Sequence, residues 1–282
     1  MMRFAEIEAH IAGMRELLNF VAAMRSLAGM RLQEAQSLLP GIGSFAAAVA
    51  GDIADARLLI ADERSSPPTP KTPRAVIPFA AEHGFIGGFN ERLLDEAHVA
   101  VGRGEFLFIL GSRGAVLAKE RGLTPVWTHP MATRSAAAPK TARRLSSELY
   151  RRIARGEISR VEVIYSRHGR GSTASVERLS LLPLDVTSLK ARPLREPPLH
   201  NLESHVLHER LLAEYVFALL TEATVEATAA ENAARLAAMG SAHDNVSRKL
   251  EALNRDARYA RQTEITTEVL DIVTGAEAQM GS

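Results

Sequence analysis

The stretch VEATAAENAARLAAMGSAHDNVSRKLEALNRDARYA, residues 225–260, decides how this chain is put together. A seam runs through Val225, Ala229, Asn232, Leu236, Met239, His243, Val246, Leu250, Leu253, Ala257 and Ala260, apolar or small apart from Asn232 and His243. Its steps alternate close to three and four, the period of a coiled coil. After Pro198 the only glycines are Gly240, Gly275 and Gly281, and Ala, Leu, Glu and Arg dominate. Those are strong helix formers. Some seventy helical residues at about 1.5 Å each would span roughly 100 Å. So long a helix needs a second long element against it.

The other end of the chain supplies one. Phe4, Ile7, Ile11, Met14, Leu18 and Val21 repeat the spacing, and Met24 and Leu27 continue it. Two readings are open: a long antiparallel hairpin closed by the two chain ends, or two ordinary amphipathic helices on a globular core. Long periodic runs without caps favour the hairpin. Asn232 and His243 on the seam would fix register. Gly240 costs about 1 kcal/mol relative to Ala, and close approach of the partner backbone would explain it.

Between the two helices the pattern changes. Pro40-Gly41-Ile42-Gly43-Ser44 is a break or kink signal, since proline removes a helix donor. Helical spacing resumes at Phe45, Val49, Ile53 and Leu58. The run SSPPTPKTP, residues 65–73, reads as an exposed extended linker. Short apolar runs at 75–81, 105–110, 161–165 and 176–182 read as strands. Helical patterns at 90–101, 112–120 and 141–154 lie between them. This alternation predicts an inserted Rossmann-like α/β domain, its last two strands a hairpin around Gly169-Arg170-Gly171. The expected division is an N-terminal coiled-coil helix at 1–64, a linker at 65–74, the α/β domain at 75–198 and a C-terminal coiled-coil helix at 199–282.

Composition excludes several classes. Of 282 residues, 46% are hydrophobic and 24% charged, which suits a folded chain. Net charge is +1, so nothing favours nucleic acid or an anionic membrane. Cysteine is absent, which excludes disulfides and thiolate-bound zinc. No apolar run approaches the roughly 20 residues of a membrane span, and the first residues do not read as a signal peptide.

Candidate sites are few. Gly84-Phe85-Ile86-Gly87-Gly88-Phe89-Asn90 follows the first strand and opens a helix, where phosphates bind in α/β sheets. Its spacing fits neither dinucleotide nor P-loop patterns. The simpler reading is a turn with glycines at positive φ and Asn90 as helix cap. Gly111-Ser112-Arg113-Gly114 could hold an anion, or be a turn with a serine N-cap. His83, His129, His168, His200, His205 and His208 show no ligand spacing, so no metal is expected. No cofactor and no nucleophile–base pair are expected either.

Four stretches resemble the F-type ATP synthase gamma subunit family. Residues 230–239 and Asp244-Asn245 are similar to its A-S-E-x-A-A-R-M-x-A-M…D-N signature. Residues 260–268 and 272–278 resemble its A-R-Q-x-x-I-T-x-E…I-V-x-G-A-E-A ending. Residues 84–90 are similar to G-L-C-G-G-F-N, with Ile86 in place of the cysteine. Residues 7–36 match its first helix without a gap, keeping Met24, Arg31, Leu32, Ala35 and Gln36.

The resemblance implies the same fold, a long antiparallel helical pair around an inserted α/β domain. It implies a central shaft with no catalytic site of its own, inside a ring of alternating alpha and beta subunits. The shaft's foot would rest on the membrane rotor (c) ring beside an epsilon subunit, without inserting into the membrane. The complex would lie on the cytoplasmic face of a bacterial inner membrane. Arg261, Gln262 and Thr266 would meet a catch loop of a beta subunit, and Met24 would lie near the bearing under the beta lever. The family's basic N-T-Q-K-I-T-K-A-M is replaced by residues 16–24, ELLNFVAAM. With Leu39-Pro40-Gly41-Ile42, that departure resembles the divergent gamma subunits of alternate, sometimes sodium-translocating, ATPases. Two rivals are a nucleotide-binding α/β enzyme using Gly84–Asn90 and a free-standing coiled-coil adaptor.

Overall fold

The computed structural model describes residues 4–59, 73–102, 104–169, 174–186, 189 and 199–280. Helix α1 (Phe4–Ala56) has 53 residues. After a short 3-10 turn come strand β1 (Arg74–Pro78), helix α2 (Phe89–Ala100), β2 (Phe106–Leu110), α3 (Ser112–Glu120) and β3 (Trp127–His129). Helix α4 (Ala138–Ala154), β4 (Arg160–Arg167), β5 (Ser175–Leu182) and the 77-residue helix α5 (Ser204–Met280) complete the order. The chain forms two compact units: residues 1–27 with 236–282, and residues 28–235. Both long helices contribute to each.

In the first unit every seam position of α1 is at least half-buried, and the residues between are exposed. Ile7 and Ile11 form a buried cluster with Leu253, and Met14, Leu250, Ala257 and Ala260 pack on it. Low numbers of α1 meet high numbers of α5, so the two ends run antiparallel. Burying one such Leu or Ile contributes about 1.5–3 kcal/mol. Leu18 and Met24 on α1 and Leu236, Met239 and Val246 on α5 are half-buried or buried along the same stripes.

In the second unit a five-stranded sheet has the order β3-β2-β1-β4-β5. The first four strands are parallel and β5 is antiparallel to β4. Alternation along the strands supplies two cores. Ala75, Ile77, Phe79, Phe108 and Leu110 face α4 and the 216–227 part of α5. Val76, Ala80, Leu107 and Ile109 face Leu93, Leu94 and Ala97 of α2 and Ala118 of α3. With both faces covered, the parallel strands read as continuous apolar runs.

Several expectations need correction. Helix α1 passes through Pro40 without a break. Leu32, Leu39 and Ile42 pack with Ala35, Val225 and Ala229 on both sides of the proline, and Ser44 Oγ donates to the Pro40 carbonyl at 2.8 Å. Packing of this kind outweighs the one donor that proline removes. Strand β3 escaped notice because its three residues form no apolar run; it is held by pairing Phe108 with Trp127.

Gly240 has nothing within 4 Å of where a Cβ would stand, so no backbone presses on it. Asn232 hydrogen-bonds along α5 itself, to the Thr228 carbonyl at 2.8 Å and from Arg235 Nη1 at 3.2 Å. One 18-residue window of α1 reaches mean hydropathy 1.4, so by length and composition this helix could cross a bilayer. Counting consecutive apolar residues missed it because Ala, Gly and Ser dilute the run. Ala46, Val49, Ile53 and Ala54 on this part of α1 are buried.

Most of the proline-rich linker, the tip of the β4–β5 hairpin at 170–173 and the Pro193–Pro198 segment lie outside the described residues.

Candidate functional site: partner contacts on the long helices and the sheet crevice

Strand order reverses between β1 and β4, and in open α/β sheets ligands bind in the crevice outside the strand ends at such a point. The Gly84–Asn90 turn lies there, and the chain's own side chains occupy it. Phe85 and Gly87 adopt left-handed φ of 62° and 56°. Asn90 does not cap α2; Gly88 holds the cap position without a side-chain bond. Asn90 is buried, and its Oδ1 accepts the backbone N–H of Ala81 at 2.9 Å, pinning the strand end to the helix.

From α5, Arg235 donates through Nε and Nη2 to the Gly84 carbonyl, each at 3.3 Å. Its Nη2 also meets Glu231 Oε1 at 2.6 Å, with both side chains almost wholly buried. Glu231 Oε2 in turn accepts the N–H of Glu82 at 3.3 Å. Ile86, Phe89 and Ala81 pack on Ala230 and Ala234 of the same helix. Helix α5 therefore covers one side of the turn and takes up the Gly84 carbonyl and the Glu82 N–H, while Phe85, Gly87 and Gly88 stay exposed.

The second glycine motif is likewise used internally. Gly111, at φ 103°, takes the cap position of α3, so Ser112 is not the N-cap. A Cβ on Gly111 would stand 2.2 Å from the Ala80 carbonyl oxygen, which explains glycine there. The anion at this helix start is the carboxylate of Glu82. It accepts Ser112 N–H at 3.0 Å, Ser112 Oγ–H at 2.7 Å and Met131 N–H at 2.8 Å. Burial pushes the Glu82 carboxyl up, but the hydrogen bonds from Ser112 and Met131, with the nearby His83, hold it below the ordinary carboxylate range. No metal-binding cluster occurs among the described residues.

The partner-contact residues expected on α5 stand exposed. Arg261 places its guanidinium 5.9 Å from the centre of the Phe4 ring, at the edge of an open groove lined by Phe4, Glu8, Arg15 and Arg258. Gln262 and Thr266 are one turn apart, and Thr266 Oγ donates to the Gln262 carbonyl at 2.8 Å. Met24 is half-buried on α1, twenty residues from Phe4, about 30 Å along a helix. It therefore belongs to a different level of the pair from Arg261.

Sequence reading passed over the apolar side chains around these three expected contact residues. Tyr259 is 70% exposed and Ile272 71%, with Ile265, Val269, Leu270 and Val273 also exposed. So large an apolar surface on a helix end marks a contact face. Its signal was available in the loss of a clean seam after Ala260. The roles of Glu82, Glu231 and Arg235 were also missed. An i, i+4 Glu–Arg pair looks like any surface pair until burial is known.

A family model described as ATP synthase matches residues 3–279. The ATP synthase gamma chain of Clavibacter sepedonicus is 28% identical over 280 residues, covering 92% of each chain. That of Leifsonia xyli subsp. xyli is 30% identical over 222 residues, covering 74% of each. Among solved structures, a chain of the Tetrahymena thermophila mitochondrial ATP synthase central stalk and c-ring aligns with a TM-score of 0.57 at 18% identity. It covers 79% of this chain and 99% of that one. A chain of the Euglena gracilis mitochondrial ATP synthase gives the same score at 15% identity over 96% and 95%. These two likenesses bear on the fold, and they share the long terminal helices around a mixed α/β sheet. With nearly its whole length matched, this chain belongs to the ATP synthase gamma-chain family.

Proposed function

We propose that the chain is the central shaft of a rotary ATP synthase, coupling ion flow through a membrane rotor to ATP synthesis or hydrolysis in a surrounding alpha/beta ring. The observation that carries this reading is family membership across residues 3–279. The antiparallel pairing of the two chain ends through Ile7, Ile11 and Leu253 supports it. The solved relatives are described with a c-ring and with F1, which supports alpha, beta and rotor-ring partners here, with an epsilon subunit at the foot. By family the chain is a non-catalytic subunit of a membrane-bound complex and associates with the membrane peripherally. The side proposed is the cytoplasmic face of a bacterial inner membrane.

The work is mechanical. A shaft with different side chains around its girth contacts each surrounding subunit differently, and a difference in contact free energy is what selects among their conformations. Turning it exchanges those contacts in sequence. Arg261, Gln262 and Thr266 supply directional donors and acceptors for a grip on a beta-subunit loop. The apolar side chains from Tyr259 to Val273 supply contact area, and Met24 marks the level of the bearing.

Mixing the purified chain with cognate alpha and beta subunits tests the reading. A single copy of the chain should co-elute within the alpha/beta ring. Failure to enter the ring, or a free-standing self-associated species in its place, contradicts it. Calorimetry with ATP, ADP and NAD should show no binding to the isolated chain, because the turn has neither dinucleotide nor P-loop spacing and Arg235 and Glu231 of α5 engage its backbone.

A further inference from the structure

The N-terminal half of α4 carries a row of cations with no counter-charge. Lys140, Arg143 and Arg144 are exposed and lie three and four residues apart, hence on one face of the helix. Among the described residues none of the three has a carboxylate within ion-pair distance. The next turns differ: Arg151 and Arg152 both pair with Glu148, and Arg152 also with Glu157. The unpaired row borders an open depression of about 540 Å³ whose other walls include His129, Thr133 and Met131, with no acidic residue in its lining. The depression lies at the carboxyl end of β3, which ends at His129.

Arg143 is held in place. Its guanidinium stacks 5.4 Å from the centre of the Phe217 ring, so part of its freedom is given up before any partner arrives. Each neighbouring guanidinium or ammonium raises the electrostatic cost of leaving the row uncompensated. In a chain whose net charge is only +1, such a patch is a local departure.

We propose that this face of α4 docks an acidic segment of a partner protein, its carboxylates meeting the row from Lys140 to Arg144. The row extends about 6 Å along the helix, at about 1.5 Å per residue. Three exposed cations on one face, beside a depression with no acid in its lining, complement an acidic peptide in charge. Nucleic acid is the weaker match, because backbone tracking needs more cations and aromatic platforms for bases. The proposal goes beyond the shaft reading and does not use Arg261, Gln262, Thr266 or Met24.

The test is fluorescence anisotropy of a labelled twelve-residue oligoglutamate peptide with the full chain at low salt. Binding should weaken about tenfold or more in the variant Lys140→Glu/Arg143→Glu/Arg144→Glu, and should fall steeply with added salt. The charge-matched control Arg248→Glu/Lys249→Glu/Arg255→Glu, on exposed positions of α5, should bind as the parent does. If the reversal variant does not fold, Lys140→Gln/Arg144→Gln should still lose several-fold. Absence of binding by the parent overturns the proposal, as does equal loss in the control. A twelve-nucleotide single strand that binds more tightly than the peptide, with the same dependence on the row, overturns it in favour of nucleic acid.

Discussion

The carboxylate of Glu82 caps the start of α3 through Ser112, accepting its backbone N–H at 3.0 Å and its hydroxyl at 2.7 Å. An acid placed at a helix N-terminus meets free N–H groups and the positive end of the helix dipole. Here that acid comes from the loop after β1, so it ties two parallel-strand crossovers together.

Removing the charge with Glu82→Gln should lower stability by about 1–2 kcal/mol at pH 7, the roughly 1.5–3 kcal/mol of a hydrogen bond to a charged group reduced by solvent screening at this half-exposed site. The sign with pH follows from the direction of the shift. Glu82 ionises at lower pH in the folded chain than in the unfolded one. Its contribution is therefore present above the unfolded carboxylate range and disappears as pH falls through the folded value. Urea titrations of both proteins from neutral pH to about pH 3 should show the gap closing in acid. A gap that stays constant would contradict the capping role.

Arg235 and Glu231 form a buried pair at 2.6 Å that also holds the Gly84 carbonyl and Glu82 N–H. Arg235→Ala should cost about 3–5 kcal/mol, because it strands a buried carboxylate. Arg235→Met with Glu231→Gln should cost much less, since no buried charge is left alone. Thermal unfolding of the two variants checks the order, and the reverse order would show that the pair is not a unit.

The two glycines on which sequence reading dwelt should respond oppositely. Gly240→Ala should raise stability by about 1 kcal/mol, since the helix gains propensity and nothing stands in the way. Gly111→Ala should cost about 3 kcal/mol or more, because the Ala80 carbonyl lies 2.2 Å from the new Cβ and φ is 103°. Denaturant midpoints measured side by side decide both.

Leu253 and Ile265 separate folding from assembly. Leu253 is buried against Ile7 and Ile11, so Leu253→Ala should cost about 2–4 kcal/mol in the isolated chain. Ile265 is exposed, and Ile265→Ala should stay within about 0.5 kcal/mol alone. It should weaken retention of the chain in an alpha/beta complex. Equal loss of isolated-chain stability in both would mean that the α5 end is packed within this chain.

The seam was legible because burial of a helix stripe writes a period into the sequence. Ile7, Ile11 and Met14 on one end and Leu250, Leu253 and Ala257 on the other were readable by spacing alone. The four longer strands were legible as apolar runs, and β3 was not, since three residues carry no period. Pro40 misled because local propensity says nothing of the packing on either side of it. The crevice was misread in detail for the same reason. Asn90 and Ser112 looked like caps, while the groups that organise the crevice, Glu82, Glu231 and Arg235, come from loop and helix positions that only tertiary contact joins. The proposed contact residues Arg261, Gln262 and Thr266 entered through family resemblance, since exposed polar residues on a helix carry no signal of their own.

The proposed grip predicts an effect on coupling. Arg261→Ala with Gln262→Ala should leave the fold of the isolated chain intact, as both side chains are exposed. In a reconstituted complex it should reduce ATP-driven ion pumping more than ATP hydrolysis. Unchanged pumping would remove these residues from the contact.

The most direct measurement is rotation itself. The chain has no cysteine, and Val99 is 78% exposed on α2, so Val99→Cys offers a unique point for attaching a bead. With the alpha/beta ring fixed to a surface and ATP added, the bead should turn in one direction at a rate that rises with ATP. A complex that assembles and hydrolyses ATP while the bead stays still would contradict the shaft.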